Sequence, residues 1–195
     1  MALEWKPFAD YYKIVKRILE IDALRGIAIL GMIVFHFFFD LSYFGVWRQE
    51  MFEDGWLVYA RIAQFLFLGL VGVSIALSHR NFNEQFLRGL KIFLCGMLVT
   101  LVTFFFAPQD FVKFGVLHFI GVAVPIVYLF KGKKKLAILT AVFAFLIGRY
   151  FGAMTTNEFF LFPFGITRAD FSSLDYFPIF PWLAVSLVGL VIGEI

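Results

Sequence analysis

Six long apolar stretches divide this chain, and the connections between them alternate between basic and acidic. The stretches cover residues 21–43, 56–77, 90–107, 114–130, 136–150 and 179–193. A helix needs about 20 apolar residues to cross the hydrocarbon core of a bilayer, so the longer stretches suffice outright and the shorter ones draw on their flanks. Hydrophobic residues make up 62% of the chain, charged residues only 16%, and the mean hydropathy is +0.88. A soluble domain lies nearer half apolar and a quarter charged. The 29 phenylalanines suit lipid-facing surfaces and packing between helices. The pattern predicts an all-α polytopic membrane protein with about six transmembrane helices.

The loop charges give that bundle a direction. Lys13, Lys16 and Arg17 precede the first stretch, Arg80, Arg88 and Lys91 follow the second, and Lys131, Lys133, Lys134 and Lys135 follow the fourth. The alternate connections are acidic or balanced: Glu50, Glu53 and Asp54 outweigh Arg48, and Asp110 stands against Lys113. In the long loop 153–178, Glu158, Asp170 and Asp175 stand against Arg168. Every basic segment falls on one side, so the positive-inside rule predicts cytoplasmic termini and a multi-pass protein of the cytoplasmic membrane. Two domains are expected. Residues 1–20 form an interfacial amphipathic segment in which Trp5, Phe8, Tyr11, Tyr12 and Ile14 are set against lysines. Residues 21–195 form the transmembrane helical domain. The first twenty residues have neither the apolar core nor the small-residue cleavage site of a signal peptide. The sixth stretch ends with the chain, which suits either a minimal protein or a truncated one.

The first stretch carries a polar stripe. Asp22, Arg25, His36 and Asp40 interrupt an otherwise apolar helix. At about 100° per residue, the eleven positions from Arg25 to His36 return to within roughly 20° of the starting direction, and the axial separation is roughly 16 Å. Asp22 and Asp40 fall within roughly 60° of the same face. Intramembrane polar residues of this kind are expected to face a protein interior or a water-filled path. The separation is of the order of the thin arm of an acyl-CoA. Arg25, near the cytoplasmic end, could hold phosphate or the pantetheine end, with Asp22 beside it. His36 could act as general base on an amine or hydroxyl, with Asp40 one turn on to fix its tautomer. The plainer alternatives are that Arg25 snorkels and pairs with Asp22, and that His36 makes a structural hydrogen bond to a neighbouring helix.

Four segments carry a family resemblance: 22–26 (Asp-Ala-Leu-Arg-Gly), 67–74 (Phe-Leu-Gly-Leu-Val-Gly-Val-Ser), 114–121 (Phe-Gly-Val-Leu-His-Phe-Ile-Gly) and 175–182 (Asp-Tyr-Phe-Pro-Ile-Phe-Pro-Trp). Arg25 and His36, ten residues intervening, resemble the signature of the transmembrane acyltransferase superfamily. The four segments in order resemble the heparan-alpha-glucosaminide N-acetyltransferase catalytic domain family, most closely its small prokaryotic relatives. The resemblance spans nearly the whole chain. It implies transfer of acetyl from cytosolic acetyl-CoA, a cosubstrate and not a tightly bound cofactor, to an amino sugar or other glycan on the far side. The animal enzymes have more spans and an Asn where His36 stands, with their catalytic His further on, and the small relatives resemble this chain better at that position, so the acceptor does not carry over.

Three further residues are candidates for acceptor binding. Arg61, one turn inside the outer end of the second stretch, either pairs with Asp40 or meets substrate. His118 lies five residues into the fourth stretch, where acceptor contact and an interhelical hydrogen bond are equally open. Asp175, at the outer rim of the sixth, suits an amine or sugar, or else belongs to an aromatic-and-proline helix entry. Arg149 reads as an interfacial anchor, and His79 has no catalytic setting. The lysine run reads as a topology signal and lipid-headgroup contact. Cys95 reads as a small buried hydrophobe. The three histidines lack the carboxylate or cysteine spacing of a metal site. Gly69, Gly72 and Ser74 offer a small-residue packing face. The Phe-rich segment 159–164 reads as a re-entrant or interfacial lid. The expected partners are membrane lipid, acyl-CoA and a sugar or glycan acceptor, with a homo-oligomer open and no nucleic acid. The alternatives to an enzyme are a non-enzymatic scaffold or subunit of a larger membrane complex, and a carrier or channel using the polar stripe.

Overall fold

Each apolar stretch is helical. The computed structural model describes residues 19–47 and 54–195. The helices are α1 (Leu19–Tyr43), α2 (Asp54–Ala76), α3 (Phe82–Phe106), α4 (Val116–Tyr128), α5 (Lys134–Phe151) and α6 (Ile179–Gly193), with a 3-10 helix at Phe159–Phe164 before α6. Among the described residues there is no strand, only isolated bridges pairing Phe114 with Tyr176 and Thr155 with Thr167. Three helices are long and apolar enough to cross a membrane: α1, α3 and the Gly55–Ala76 portion of α2. Helices α4 and α6 are shorter and apolar. The interfacial helix expected before residue 19, and the loop holding Arg48, Glu50 and Glu53, lie outside the described residues. Leu19 and Glu20 already belong to α1.

Local chemistry sets the helix boundaries. Helix α3 starts eight residues before the apolar run because Asn81 and Glu84 cap it reciprocally. The Asn81 side chain accepts the Glu84 N–H at 3.0 Å, and the Glu84 carboxylate accepts the Asn81 N–H at 2.9 Å. In α6 Phe180 is extended (φ −102°, ψ 131°), as expected of a residue before proline, so the regular helix begins at Pro181. The peptide bond between them is cis.

The chain forms two compact units, Met1–Ala63 and Gln64–Ile195. In the first, α1 meets the opening turns of α2. Phe35 and Ala60 are buried there, with Phe38, Trp47, Trp56 and Tyr59 packed around them. The Tyr59 hydroxyl donates to the Gly31 carbonyl at 2.9 Å.

The second unit is built on backbone contact at glycines. A methyl group on Gly72 of α2 would overlap the Ser186 carbonyl of α6, and one on Gly189 would overlap the Gly69 carbonyl. The Ser186 hydroxyl donates to the Leu68 carbonyl at 3.0 Å across the same seam. Between α3 and α4, Gly89 meets the Gly121 carbonyl, Gly121 meets Phe93, and Gly96 meets His118. Pro125 lacks an N–H, so the Gly121 carbonyl has no helical donor four residues on. Lipid tails are as apolar as leucine, so close packing and interhelical hydrogen bonds, rather than escape from water, hold such helices together. Leu68, Ile75, Phe119, Val124, Leu187 and Leu190 fill the core. Cys95 is exposed, against the sequence expectation. The α3 seam runs through Gly89 and Gly96, both buried, and Cys95 points about 100° away from Gly96.

Two clusters close the ends of this unit. At one end Lys131 Nζ donates to the Ser78 carbonyl, the Gly132 N–H to Glu194 Oε1 at 2.7 Å, and Lys134 Nζ to the Glu194 carbonyl at 2.5 Å. Gln85, fully buried, donates from Nε2 to Ser78 Oγ at 2.9 Å. At the other end the segment after α3 is stitched to the segment before α6. The Leu174 N–H reaches the Asp110 carbonyl at 2.6 Å, the Phe177 N–H the Phe114 carbonyl at 2.8 Å, and Ser173 Oγ the Phe111 carbonyl at 3.2 Å. Lys113 donates to the Ser172 carbonyl and lies 4.3 Å from the Phe111 ring centroid. Burial lowers its pKa, opposed by the charge of Asp110. The 3-10 helix at Phe159–Phe164 is held by Tyr176, whose hydroxyl donates to the Phe162 carbonyl at 2.7 Å. Burial raises the Tyr176 pKa.

Candidate active site

On α1 the polar stripe and the packing seam lie on different faces. At about 100° per residue, Arg25, His36, Asp22 and Asp40 fall within an arc of roughly 60° centred about a quarter-turn from the line through Ala28 and Phe35. Ala28 and Phe35 are buried, whereas His36 and Asp40 are exposed. Within this unit the stripe expected to face an interior is not covered at these two positions, because the small and aromatic residues of the neighbouring face make the contact. Arg25 and Asp22 form an ion pair at 2.5 Å, with side chains 40% and 39% exposed. That exposure puts the pair at the weak end of the scale, about 0–1 kcal/mol. The His36 ring lies edge-on to Phe35, 6.0 Å between centroids. Among the described residues no hydrogen bond joins His36 to Asp40. Arg61 is exposed on α2.

The histidine of the second unit has a different setting. His118 is 2% exposed and is the third residue of α4. The residue before the helix is Gly115, which has no side chain with which to cap. His118 Nδ1 accepts the Gly115 N–H at 3.2 Å, so the ring's proton sits on Nε2. Nε2 then donates to Thr100 Oγ1 at 3.3 Å, and Thr100 donates onward to the Val112 carbonyl at 2.7 Å. Thr103, one turn further along α3, accepts the Val112 N–H at 3.0 Å. Both backbone groups of Val112 are thereby held by two threonines. The second cap of α4 comes from 59 residues away: Asp175 Oδ2 accepts the Val116 N–H at 2.7 Å. A carboxylate at a helix N-terminus also meets the positive end of the helix dipole.

The site residues chosen from sequence thus divide into two groups. Arg25 and Asp22 pair, with His36 and Asp40 further along α1. His118 and Asp175 converge on the first turn of α4, where both serve as caps. To touch an acceptor, His118 would have to release a bond at one of its nitrogens. Thr100, Thr103 and Gly115 escaped sequence reasoning. The available signal was Gly115 at a helix start with no capping side chain, which requires an acceptor from elsewhere.

Apolar helices of spanning length, glycine-built seams and polar residues on one helix face define an integral membrane protein of the helical class. The chain belongs to the heparan-alpha-glucosaminide N-acetyltransferase catalytic family, whose family model matches residues 17–195. The family is one of membrane acetyltransferases. No curated protein and no solved structure matches the chain.

Proposed function

We propose that the protein transfers acetyl from cytosolic acetyl-CoA to an extracytoplasmic amino sugar or other glycan. In this reading six helices span the cytoplasmic membrane and both termini are cytoplasmic, a topology supported by the lysine distribution. Arg25, with Asp22 beside it, holds the anionic end of CoA. His36 is the general base and Asp40 orients it, with Arg61 contacting the acceptor. His36 takes a proton from the acceptor amine or hydroxyl as that atom attacks the thioester carbonyl. The carbon–sulfur bond breaks, and the imidazolium returns the proton to the leaving thiolate, so the enzyme ends unchanged. His118 and Asp175 act as positioning residues, because their polar atoms are engaged at the first turn of α4. The observation that carries the reading is the placement of Arg25 and His36 on one face of α1 with Asp40 one turn on, in a chain of this family.

The test is made on protein reconstituted in liposomes with acetyl-CoA on one side and a glucosamine acceptor on the other. His36→Ala should lower transfer by about 10²–10⁴-fold, the usual worth of a general base, with CoA binding retained. Arg25→Ala should lose saturable CoA binding. A change within about threefold for His36→Ala removes that residue from the mechanism. Absence of CoA binding in the unaltered protein favours the scaffold reading.

A further inference from the structure

A groove runs along the second unit between α2, α5 and α6, with a volume of about 590 Å³. Phe65, Gly69 and Val73 of α2, Val142 and Phe145 of α5 and Val188 of α6 line it, and no charged or hydroxyl side chain takes part. The groove is open. Val142, Phe145 and Val188 are 53%, 53% and 48% exposed. Phe65 to Val73 is eight residues, about 12 Å of helix. That is close to the depth of one leaflet, half of a hydrocarbon core of about 30 Å.

The charge at the Val73 end is one-sided. This end adjoins the last turn of α2, the last turn of α6 and the start of α5, and the lysine run crosses it. Lys131 and Lys134 tie the loop to the Ser78 and Glu194 carbonyls, and Lys133 donates to the Leu129 carbonyl at 3.1 Å. Among the described residues, Glu194 and Glu84 are acidic side chains at this end and both are engaged, Glu194 Oε1 accepting the Gly132 N–H and Glu84 Oε2 the Asn81 N–H. Lys135 is exposed and makes no hydrogen bond among the described residues. It lies three residues before Ile138, seven before Val142 and ten before Phe145, so it shares the face of α5 that lines the groove. An apolar channel one leaflet deep therefore opens beside cationic side chains at the level where its helices end.

We propose that this groove binds an anionic phospholipid, with one acyl chain lying along α2, α5 and α6 and the phosphate beside Lys135. Charge complementarity selects this occupant. A helix from a second copy of the chain would cover the same apolar residues but leave the Lys135 charge unanswered, whereas a lipid phosphate answers it in the geometry of other basic pockets between transmembrane helices. The inference requires only that the helices lie in a bilayer, and it holds whichever side the lysines face.

The experiment is native mass spectrometry of the full chain from mixed micelles of phosphatidylglycerol and phosphatidylcholine in equal amounts. The unaltered protein should retain phosphatidylglycerol in preference. Lys135→Glu should reduce that preference by about fivefold or more, given the worth of one basic residue near an anionic headgroup. Val188→Trp, which fills the groove from an exposed position, should reduce retention of both lipids while leaving the Lys135 charge in place. If Val188→Trp lowers the melting temperature, Val142→Ser tests the same channel by making it polar. Equal retention of the two lipids by the unaltered protein overturns the proposal. So does lipid retention unchanged by both groove variants, or a dimer crosslinked through cysteine placed at Val188.

Discussion

The two units of this molecule use polar residues in opposite ways. In Gln64–Ile195, His118, Ser186, Thr100, Thr103 and Asp175 each bond a backbone group or one another, several across contacts between helices. Glycines bring the backbones of these helices into contact. Among the described residues of Met1–Ala63, the Tyr59 hydroxyl reaches the Gly31 carbonyl, and His36 and Asp40 are exposed. Polar groups engaged in holding helices together are poorly placed for chemistry, and exposed ones on an apolar helix need a reason to be there. The structural reading of the one set and the proposal of transfer at the other rest on this difference.

The sharpest way to break this contrast is to add bulk at the seams. Gly72→Leu places a side chain on the Ser186 carbonyl and the Leu190 nitrogen, so the helices must separate. Overpacking against side chains costs about 1–3 kcal/mol, and backbone cannot move aside as a side chain can, so folded protein should not be recovered in detergent. Gly26→Ala, where an added Cβ meets nothing within 4 Å, should raise the melting temperature slightly or leave it alone. Comparable losses at both positions would erase the distinction.

Removing each histidine sharpens it. His118→Ala leaves the buried Gly115 N–H without its acceptor, a loss of about 1–3 kcal/mol in stability by thermal or denaturant unfolding. His36→Ala should change stability by less than about 0.5 kcal/mol, as exposed substitutions usually do, although its expected effect on transfer is the larger one. Asp175→Ala, which removes one cap of α4, should cost about 0.5–2 kcal/mol, and Asp175→Asn should recover most of that because an amide oxygen still accepts.

The smallest expected effect is one of pH. Burial raises the Tyr176 pKa, so the folded protein holds the phenol proton to higher pH than the unfolded chain does. Its contribution is complete below the ordinary value of about 10 and declines as pH rises above it, because the unfolded chain then gains by ionising. Unfolding followed against pH should show an alkaline decline that Tyr176→Phe reduces, and a curve identical in the variant would remove Tyr176 from the account.

Residues and their near neighbours determined a good deal of this protein. Hydropathy marked all six helices, since apolar runs of that length have few alternatives. The Asn81–Glu84 pair marks the start of α3, because a capping box acts within one turn. The family was legible from four segments read in order. Burial and partnership were not legible, because they depend on which faces meet. Cys95 lay in an apolar run and is exposed, as the α3 seam follows the glycines beside it. His118 and Asp175 resembled substrate contacts in sequence, and it took a fold bringing residues 59 apart together to put both on the first turn of α4. The groove beside Lys135 likewise exists only once three helices stand side by side, since an open channel is a property of their spacing and not of any one of their sequences.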